Sequence, residues 1–249
     1  MVRLEVFPLS GFPEVTKGAD LAGLVIASLK TTRVSLKNND VLVVKHKIVS
    51  KSEGRVVSLD GVVPGSRAKD LAESERKDPR LVELMLREAV RVVRVGHGVI
   101  ITETTQGFVC ANSGVDQSNV GRGLVALLPK NPDLSARRLR RALEKASGLK
   151  IAVVVSDTFG RPWRLGQTDV AIGCSGIDPL MKYFGRKDRF GYSLRVTEPS
   201  VVDEIAGAAE LVIGKLNQIP AALVRGIAYT RGDSGVKSMI LPHEMDLFR

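Results

Sequence analysis

The sequence is poor in the residues that mark several common functional classes. Its only cysteines, Cys110 and Cys174, stand in a chain of 249 residues, too few for a disulfide framework and without the CxxC or histidine spacing of a zinc site. Both are expected to be reduced packing residues. The three histidines, His46, His97 and His243, are scattered, and no H-E-x-x-H, G-x-S-x-G or aspartic dyad is present. Aromatic residues make up 4% of the chain and do not interleave with the basic ones, so no stacking platform for single-stranded nucleic acid is expected. No apolar run reaches the roughly 18 residues of a membrane span. The opening MVRLEVFPLSGFPEV has neither the basic n-region nor the unbroken apolar stretch of a signal peptide, which makes the cytoplasm the expected location. The standard phosphate motifs fail as well. GAAELVIGKL (207–216) has the wrong glycine spacing for a P-loop, and GRGLVA (121–126) runs into LLPKNP, which cannot continue as the helix of a dinucleotide fold.

What is present begins with a hydrophobic share of 44%, enough for one large core or two small ones. A net charge of +10 and a pI of about 9.8 ask for an anionic partner. Arg137, Arg138, Arg140, Arg141 and Lys145 lie on a predicted helix started by Asp133 or Ser135, stopped at Gly148 and striped by Ala136, Leu139, Leu143 and Ala146; they read first as a solvated face. Extended segments are expected at 40–50, 97–104, 123–129, 150–157, 169–176, 193–198 and 221–230, and helices at 20–30, 79–94, 135–147 and about 199–212. The unordered mixture predicts an α+β fold. The charged stretch 66–80 is the expected exposed connection, and two interwoven subdomains without a legible boundary are expected across 1–249.

Three polar stretches stand out against this background. VVVSDTFGRPWRLGQTDVAIG (153–173) starts as a buried strand and then places Ser156, Asp157, Thr158, Arg161, Arg164, Gln167 and Asp169 close together, more than a strand-to-helix turn needs. KHKIVSKSEGR (45–55) carries Lys45, Lys47 and Lys51 at a strand end, which either aims ammonium groups at phosphate or blunts an edge strand. ETTQGFVCANSGVDQSN (103–119) gathers hydroxyls and amides around Asp116. Asp116 and Asp157 can be turn formers, or can jointly supply the one or two carboxylates that Mg²⁺ or Mn²⁺ usually takes beside water and phosphate oxygens.

Together with FPLSGFPEV (7–15), SDTFGRPWRLGQTDVAIGCSGI (156–177) and IPAALVRGI (219–227), these stretches make the chain resemble the archaeal coenzyme F-420-0:L-glutamate ligases. The match runs nearly end to end. It is to the single-function form, without the nitroreductase-like domain that follows the ligase part in bifunctional relatives. The resemblance implies a two-domain α+β homodimer that uses GTP, with Mg²⁺ or Mn²⁺ and stimulating K⁺, to add L-glutamate successively through γ-linkages to F-420-0 and then F-420-1. It accounts for the missing P-loop and gives the positive charge a reason, since GTP and the phosphodiester-bearing acceptor are both anionic. Nucleic acid and membrane are not expected partners.

By the same resemblance, Asp116 and Asp157 are expected to hold one metal, and Thr158, with Gln218, a second. Asp116, Asp157 and Thr158 are the catalytic candidates. The turn Leu9, Ser10, Gly11 and Phe12, together with Lys47, Asn119 and the segment Lys215, Leu216, Asn217, Gln218, Ile219, Pro220, Ala221 and Ala222, is expected to bind GTP. Arg161 and Arg164 are candidates for holding the acceptor or the incoming glutamate, with pairing to Asp157 and Asp169 as the alternative. Ser113 and Trp163 are candidates for the deazaflavin pocket, although the tryptophan could equally be core. A nucleotide-dependent amide ligase with another acceptor, and a non-enzymatic nucleotide or nucleic-acid binder, are the competing readings.

Overall fold

Valine-rich VLVVK and AVVVSD become neighbouring parallel strands, as continuous apolar runs do when both faces of a strand are covered. They are β2 (Val41–Lys45) and β8 (Ala152–Arg161), the third and fourth strands of a five-stranded sheet. β1 (Glu5–Leu9), β9 (Arg164–Ser175) and β10 (Ala221–Arg225) join by antiparallel pairing, in the order β1-β10-β2-β8-β9. The computed structural model describes residues 3–247. Helices α1 (Leu21–Thr31), α2 (His46–Ser52) and α5 (Pro132–Ser147) pack on one sheet face through Val25, Leu29, Val49, Leu139 and Leu143, while α6 (Val201–Ile213) covers the other through Val202, Ile205 and Ala209.

Between α2 and α5 the chain builds a separate core. β3 (Val56–Ser58), α3 (Ser66–Glu75), α4 (Pro79–Glu88), β4 (Ala89–Gly96), β5 (Val99–Thr104), β6 (Val109–Ala111) and β7 (Leu124–Ala126) enclose Leu59, Val82, Met85, Ile100 and Val125. The chain enters and leaves this inserted lobe side by side, since Leu127 N donates to Arg55 O at 2.9 Å. Mixed strands and helices with mostly antiparallel pairing make an α+β fold, as expected.

Several boundaries differ from those expected. The 40–50 strand stops at Lys45, whose N–H still finds Pro220 O at 2.8 Å; beyond it β10 offers no further partner and the chain turns into α2. The charged 66–80 stretch is largely helix α3, with Ala68 and Ala72 buried beneath its charges. The helix expected over 79–94 ends at Glu88, because Ala89–Gly96 pairs with β5. Residues 193–198 form no strand beyond a Lys187 bridge to Ser193. The polar turn expected after Asp157 is an extension of β8 and β9 into a hairpin, closed at Pro162 and Trp163, with Trp163 at φ 56°.

Helix α5 is capped by Asn131, whose Oδ1 accepts from Leu134 N at 3.0 Å, with Pro132 in the first turn and Gly148 at φ 72° ending it. Asp133 is thereby free to accept from Cys174 N and Val236 N, both at 2.8 Å. The basic face of this helix is not simply solvated: Arg140 reaches Ser175, Glu144 and Asp233 and ties the C-terminal segment down. Both cysteines are buried and unpaired. Gly173 sets how closely α5 approaches β9, since a Cβ there would lie 2.4 Å from the Pro132 carbonyl carbon. Gly173→Ala is expected to cost about 1–3 kcal/mol by forcing backbone apart, read as a lower urea midpoint; an unchanged midpoint would show that the helix can retreat freely.

Candidate active site at one edge of the sheet

Register brings distant segments to one edge. Leu9 pairs with Ala221, Ala221 with Val44, and Val44 with Val155, so the ends of β1 and β2 and the start of β10 are level with the middle of β8. Lys45 then pairs with Ser156. Here β2 ends while β8 runs on as one arm of the hairpin it makes with β9. A bulge sits at this point: Val155 pairs with Gly173 but Ser156 with Ala171, leaving Ile172 as the extra residue. Bulges of this kind re-aim side chains beside functional sites.

Strand alternation separates Asp157 from Thr158. Asp157 faces α2, where His46 Nε2 lies 3.4 Å from its Oδ1; the same oxygen accepts from Thr158 N at 2.7 Å. His46 is 2% exposed, and burial pushes its imidazole below the ordinary value, against the opposing pull of Asp157 and Asp116. The next residue, Lys47, bridges to the inserted lobe, with Nζ 2.6 Å from Asp116 Oδ2 and bonded to Ser118 Oγ. Burial raises the Asp116 carboxyl, but hydrogen bonds from Lys47 and Ser118 outweigh it and hold the group below the usual carboxylate range. Burial and the nearby Asp157 charge push the Cys110 thiol up to about 12, so it stays protonated.

Thr158 points to the α6 side. Its Oγ1 donates to Asp169 Oδ1 at 2.7 Å and receives Lys215 Nζ. Asp169 is 2% exposed and also accepts from Ser156 Oγ at 2.9 Å and from Lys45 Nζ. Lys45 Nζ lies 2.5 Å from Glu210 Oε2, and Glu210 Oε1 lies 3.3 Å from Lys215 Nζ. A closed ring of alternating charge therefore orients the threonine hydroxyl, with its proton directed inward to Asp169.

The remaining candidates divide. Ser10, Gly11 and Phe12 form the turn after β1, held to α1 where Ser28 Oγ donates to Ser10 O at 2.6 Å. Lys215, Leu216, Asn217 and Gln218 form an exposed loop after α6 that returns through Ile219 and Pro220 to β10, with Gln218 at φ 55°. Asn119 is exposed at φ 59°, one residue beyond Ser118. Leu9, Ala221 and Ala222 have buried side chains, so only their backbones are left to meet a ligand; Ala221 and Ala222 are paired on both flanks, whereas Leu9 lies on the edge strand β1. Ser113 is also not at a pocket, because it is 1% exposed and its hydroxyl is used by Met85 O at 2.7 Å and Thr102 Oγ1 at 2.8 Å. Arg161, Trp163 and Arg164 occupy the exposed hairpin apex, and Trp163, at 83% exposed, is not core. Arg161 donates to Leu165 O at 3.4 Å, whereas the cation paired with Asp169 is Lys45, so the alternative pairing of Arg161 or Arg164 with Asp169 is not what forms.

Sequence reasoning missed four participants: Lys45 as an ion-pair member, His46, the buried role of Asp169, and Glu210. A lysine ending a valine run and an aspartate inside a strand were visible signals of buried pairing. Glu210 carried none, since an acidic residue on an amphipathic helix ordinarily faces water.

The residues fit a hard divalent cation bound with phosphate. Asp116 and Asp157, both close enough to act on the His46 imidazole, are the one or two carboxylates such an ion takes beside water and phosphate oxygens, and among the described residues no group of three or more His, Cys, Asp or Glu side chains could hold a metal alone. Two ammonium groups, Lys47 on Asp116 and Lys215 on Thr158, already stand at these oxygens as cations.

The chain is similar to known proteins along most of its length. Residues 11–226 match the family model described as F420-0:Gamma-glutamyl ligase. The chain is 43% identical over 249 residues to the coenzyme F420:L-glutamate ligase of Methanothermobacter thermautotrophicus, covering 99% of each chain. It is 43% identical over 253 residues to the protein of that name from Methanopyrus kandleri, covering 100% of this chain and 98% of the other. A third, from Methanosarcina mazei, is 34% identical over 250 residues, covering 100% of this chain and 96% of the relative. With a family model matched across most of its length and relatives aligned almost end to end, this chain belongs to the F420-0:gamma-glutamyl ligase family.

Proposed function

We propose that this protein is a GTP-dependent ligase that adds L-glutamate through γ-linkages to F-420-0 and then to F-420-1, as a cytoplasmic homodimer using Mg²⁺ or Mn²⁺ with K⁺. The observation that carries the reading is the convergence of Lys47, Asp116, Asp157, Thr158 and the Lys215 loop on one sheet edge. Among the described residues no helix is long and apolar enough to cross a membrane.

The chemistry follows from the substrates. A carboxylate is a poor electrophile, so an acceptor carboxylate oxygen first attacks the γ-phosphorus of GTP; the bond to the β–γ bridging oxygen breaks and GDP leaves. The glutamate amine then attacks the acyl carbon, the C–O bond to phosphate breaks, phosphate leaves, and the surplus amine proton passes to solvent. Bound metal would offset the charge of two anionic reactants during the first transfer. Asp116 and Asp157 would hold one ion, and Thr158, oriented by Asp169, would face a second together with Gln218. Lys47 and Lys215 exchange their present oxygen partners for phosphate, and the Ser10–Phe12 turn offers backbone N–H groups.

Arg161 and Arg164, on the exposed hairpin, would clamp carboxylate or phosphate groups of the acceptor or glutamate, with Trp163 alongside the deazaflavin ring. Arg161→Ala or Arg164→Ala is expected to raise the KM of one substrate by about ten- to hundredfold, the value of one hydrogen bond to a charged group, with a smaller change in kcat. Unchanged KM values for both substrates would remove these residues from the site.

The deciding experiment is a mass-spectrometric product assay with F-420-0, L-glutamate, Mn²⁺ and either GTP or ATP. Masses that rise by successive glutamyl units with GTP alone support the reading. No adduct on F-420-0, but GTP cleavage when other carboxylate acceptors are offered, would keep the ligase chemistry and remove this acceptor.

A further inference from the structure

His46 is among the groups at the sheet edge that the reaction outlined above leaves unused. It is 2% exposed, yet its Nε2 has no hydrogen-bond partner in the protein. Its other ring nitrogen is placed: Nδ1 lies 3.3 Å from Ser50 Oγ, one turn along α2. When Ser50 donates to Nδ1, the ring proton resides on Nε2, which makes that atom a donor. What it faces is Asp157 Oδ1, at 3.4 Å. That oxygen already accepts from Thr158 N. A shortening of ~0.4 Å with the ring N–H aligned on Oδ1 would complete an N–H···O hydrogen bond that engages one of the two carboxylate oxygens.

We propose that His46 is the positioning residue for Asp157: its Nε2–H fixes one carboxylate oxygen so that the other is presented, in one orientation, to a divalent cation. This rests on the reading of Asp157 as a metal ligand. Its physical basis is entropic and directional, because a carboxylate free to rotate must be ordered when the ion binds, and one held by a buried donor is ordered beforehand. Outer-shell partners of metal ligands typically contribute ten- to hundredfold to affinity.

Two conservative variants separate this role from simple packing. Glutamine places its amide nitrogen near the position of Nε2 and keeps the contact to Asp157. Asparagine places its polar atoms near Nδ1, keeps Ser50 and cannot reach Asp157. Mn²⁺ binding would be followed by the paramagnetic resonance of the free ion, with GDP present so that no turnover occurs, and thermal melting would confirm that each variant is folded. His46→Asn is expected to weaken Mn²⁺ binding by about ten- to hundredfold, while His46→Gln stays close to the unmodified protein. Equal affinity in both variants, or loss with glutamine and retention with asparagine, overturns the positioning role. Asp157→Ala run beside them keeps the two failures apart: if it retains full Mn²⁺ binding, the metal reading itself falls and this inference with it.

Discussion

Asp157→Ala and Asp116→Ala are each expected to lower kcat by about a thousandfold or more while leaving the melting temperature nearly unchanged. Offsetting charge between a nucleotide and an anionic acceptor is a contribution of several kcal/mol, and about 4 kcal/mol corresponds to a thousandfold in rate. Neither carboxylate supports the cores. Asp157 contacts His46 and its neighbour's N–H, and Asp116, with its side chain 40% exposed, contacts Lys47 and Ser118. Losing Asp116 frees a lysine that can turn to water, so its cost to folding is small. Steady-state glutamylation over a metal titration, with melting curves beside it, is the measurement. Near-normal turnover of either variant at limiting metal would remove that carboxylate from metal binding.

A few ångströms away the balance reverses. Asp169→Ala is expected to destabilise the fold by about 3–5 kcal/mol, the usual consequence of removing one partner from a buried ion pair. The side chain of Asp169 is fully buried, and it receives Lys45 together with the hydroxyls of Ser156 and Thr158. Its loss leaves Lys45 with Glu210 alone and leaves the buried Ser156 hydroxyl and the half-buried Thr158 hydroxyl short of an acceptor. Turnover of the surviving folded fraction should fall too, because Thr158 loses the partner that sets its hydroxyl. Urea unfolding measures the first effect, and a midpoint within experimental error of the unmodified protein would show that the ring of charge is not holding β2, β9 and α6 together. Asp157 and Asp169 thus make a contrasting pair, one expected to affect chemistry without stability and the other stability first.

Apolar periodicity made most elements legible, because it reports burial directly. The Val41–Val44 and Ala152–Val155 runs and Ala136, Leu139 and Leu143 of the α5 stripe are buried as their patterns predict, while Ala146, at the end of that stripe, is exposed. What failed depended on distant partners. Whether Ala89–Val95 continues a helix or joins a sheet is decided by β5, and whether Thr158–Arg161 is a turn or a strand is decided by β9. The polar cluster itself was legible, since so many polar groups beside a core strand exceed what a turn needs. It was less legible as geometry. Ala221 and Ala222 are ligand candidates by resemblance alone, and only the pairing of β10 on both sides shows their side chains to be core. Ser113 is likewise a candidate by resemblance, whereas the inserted lobe consumes its hydroxyl internally.

The order of strands also bears on when the protein can fold. Glu5 pairs with Arg225, so the edge of the main sheet joins nearly the first described residues to residues close to the end. During synthesis that pairing must wait until β10 has emerged, and closing so long a loop carries a large entropic cost before any contact repays it. The inserted lobe closes within 56–127 and contains no strand from outside that interval. It is the part whose contacts are complete first, leaving Asp116 in place on a folded unit while Asp157 still awaits the strands that will align it.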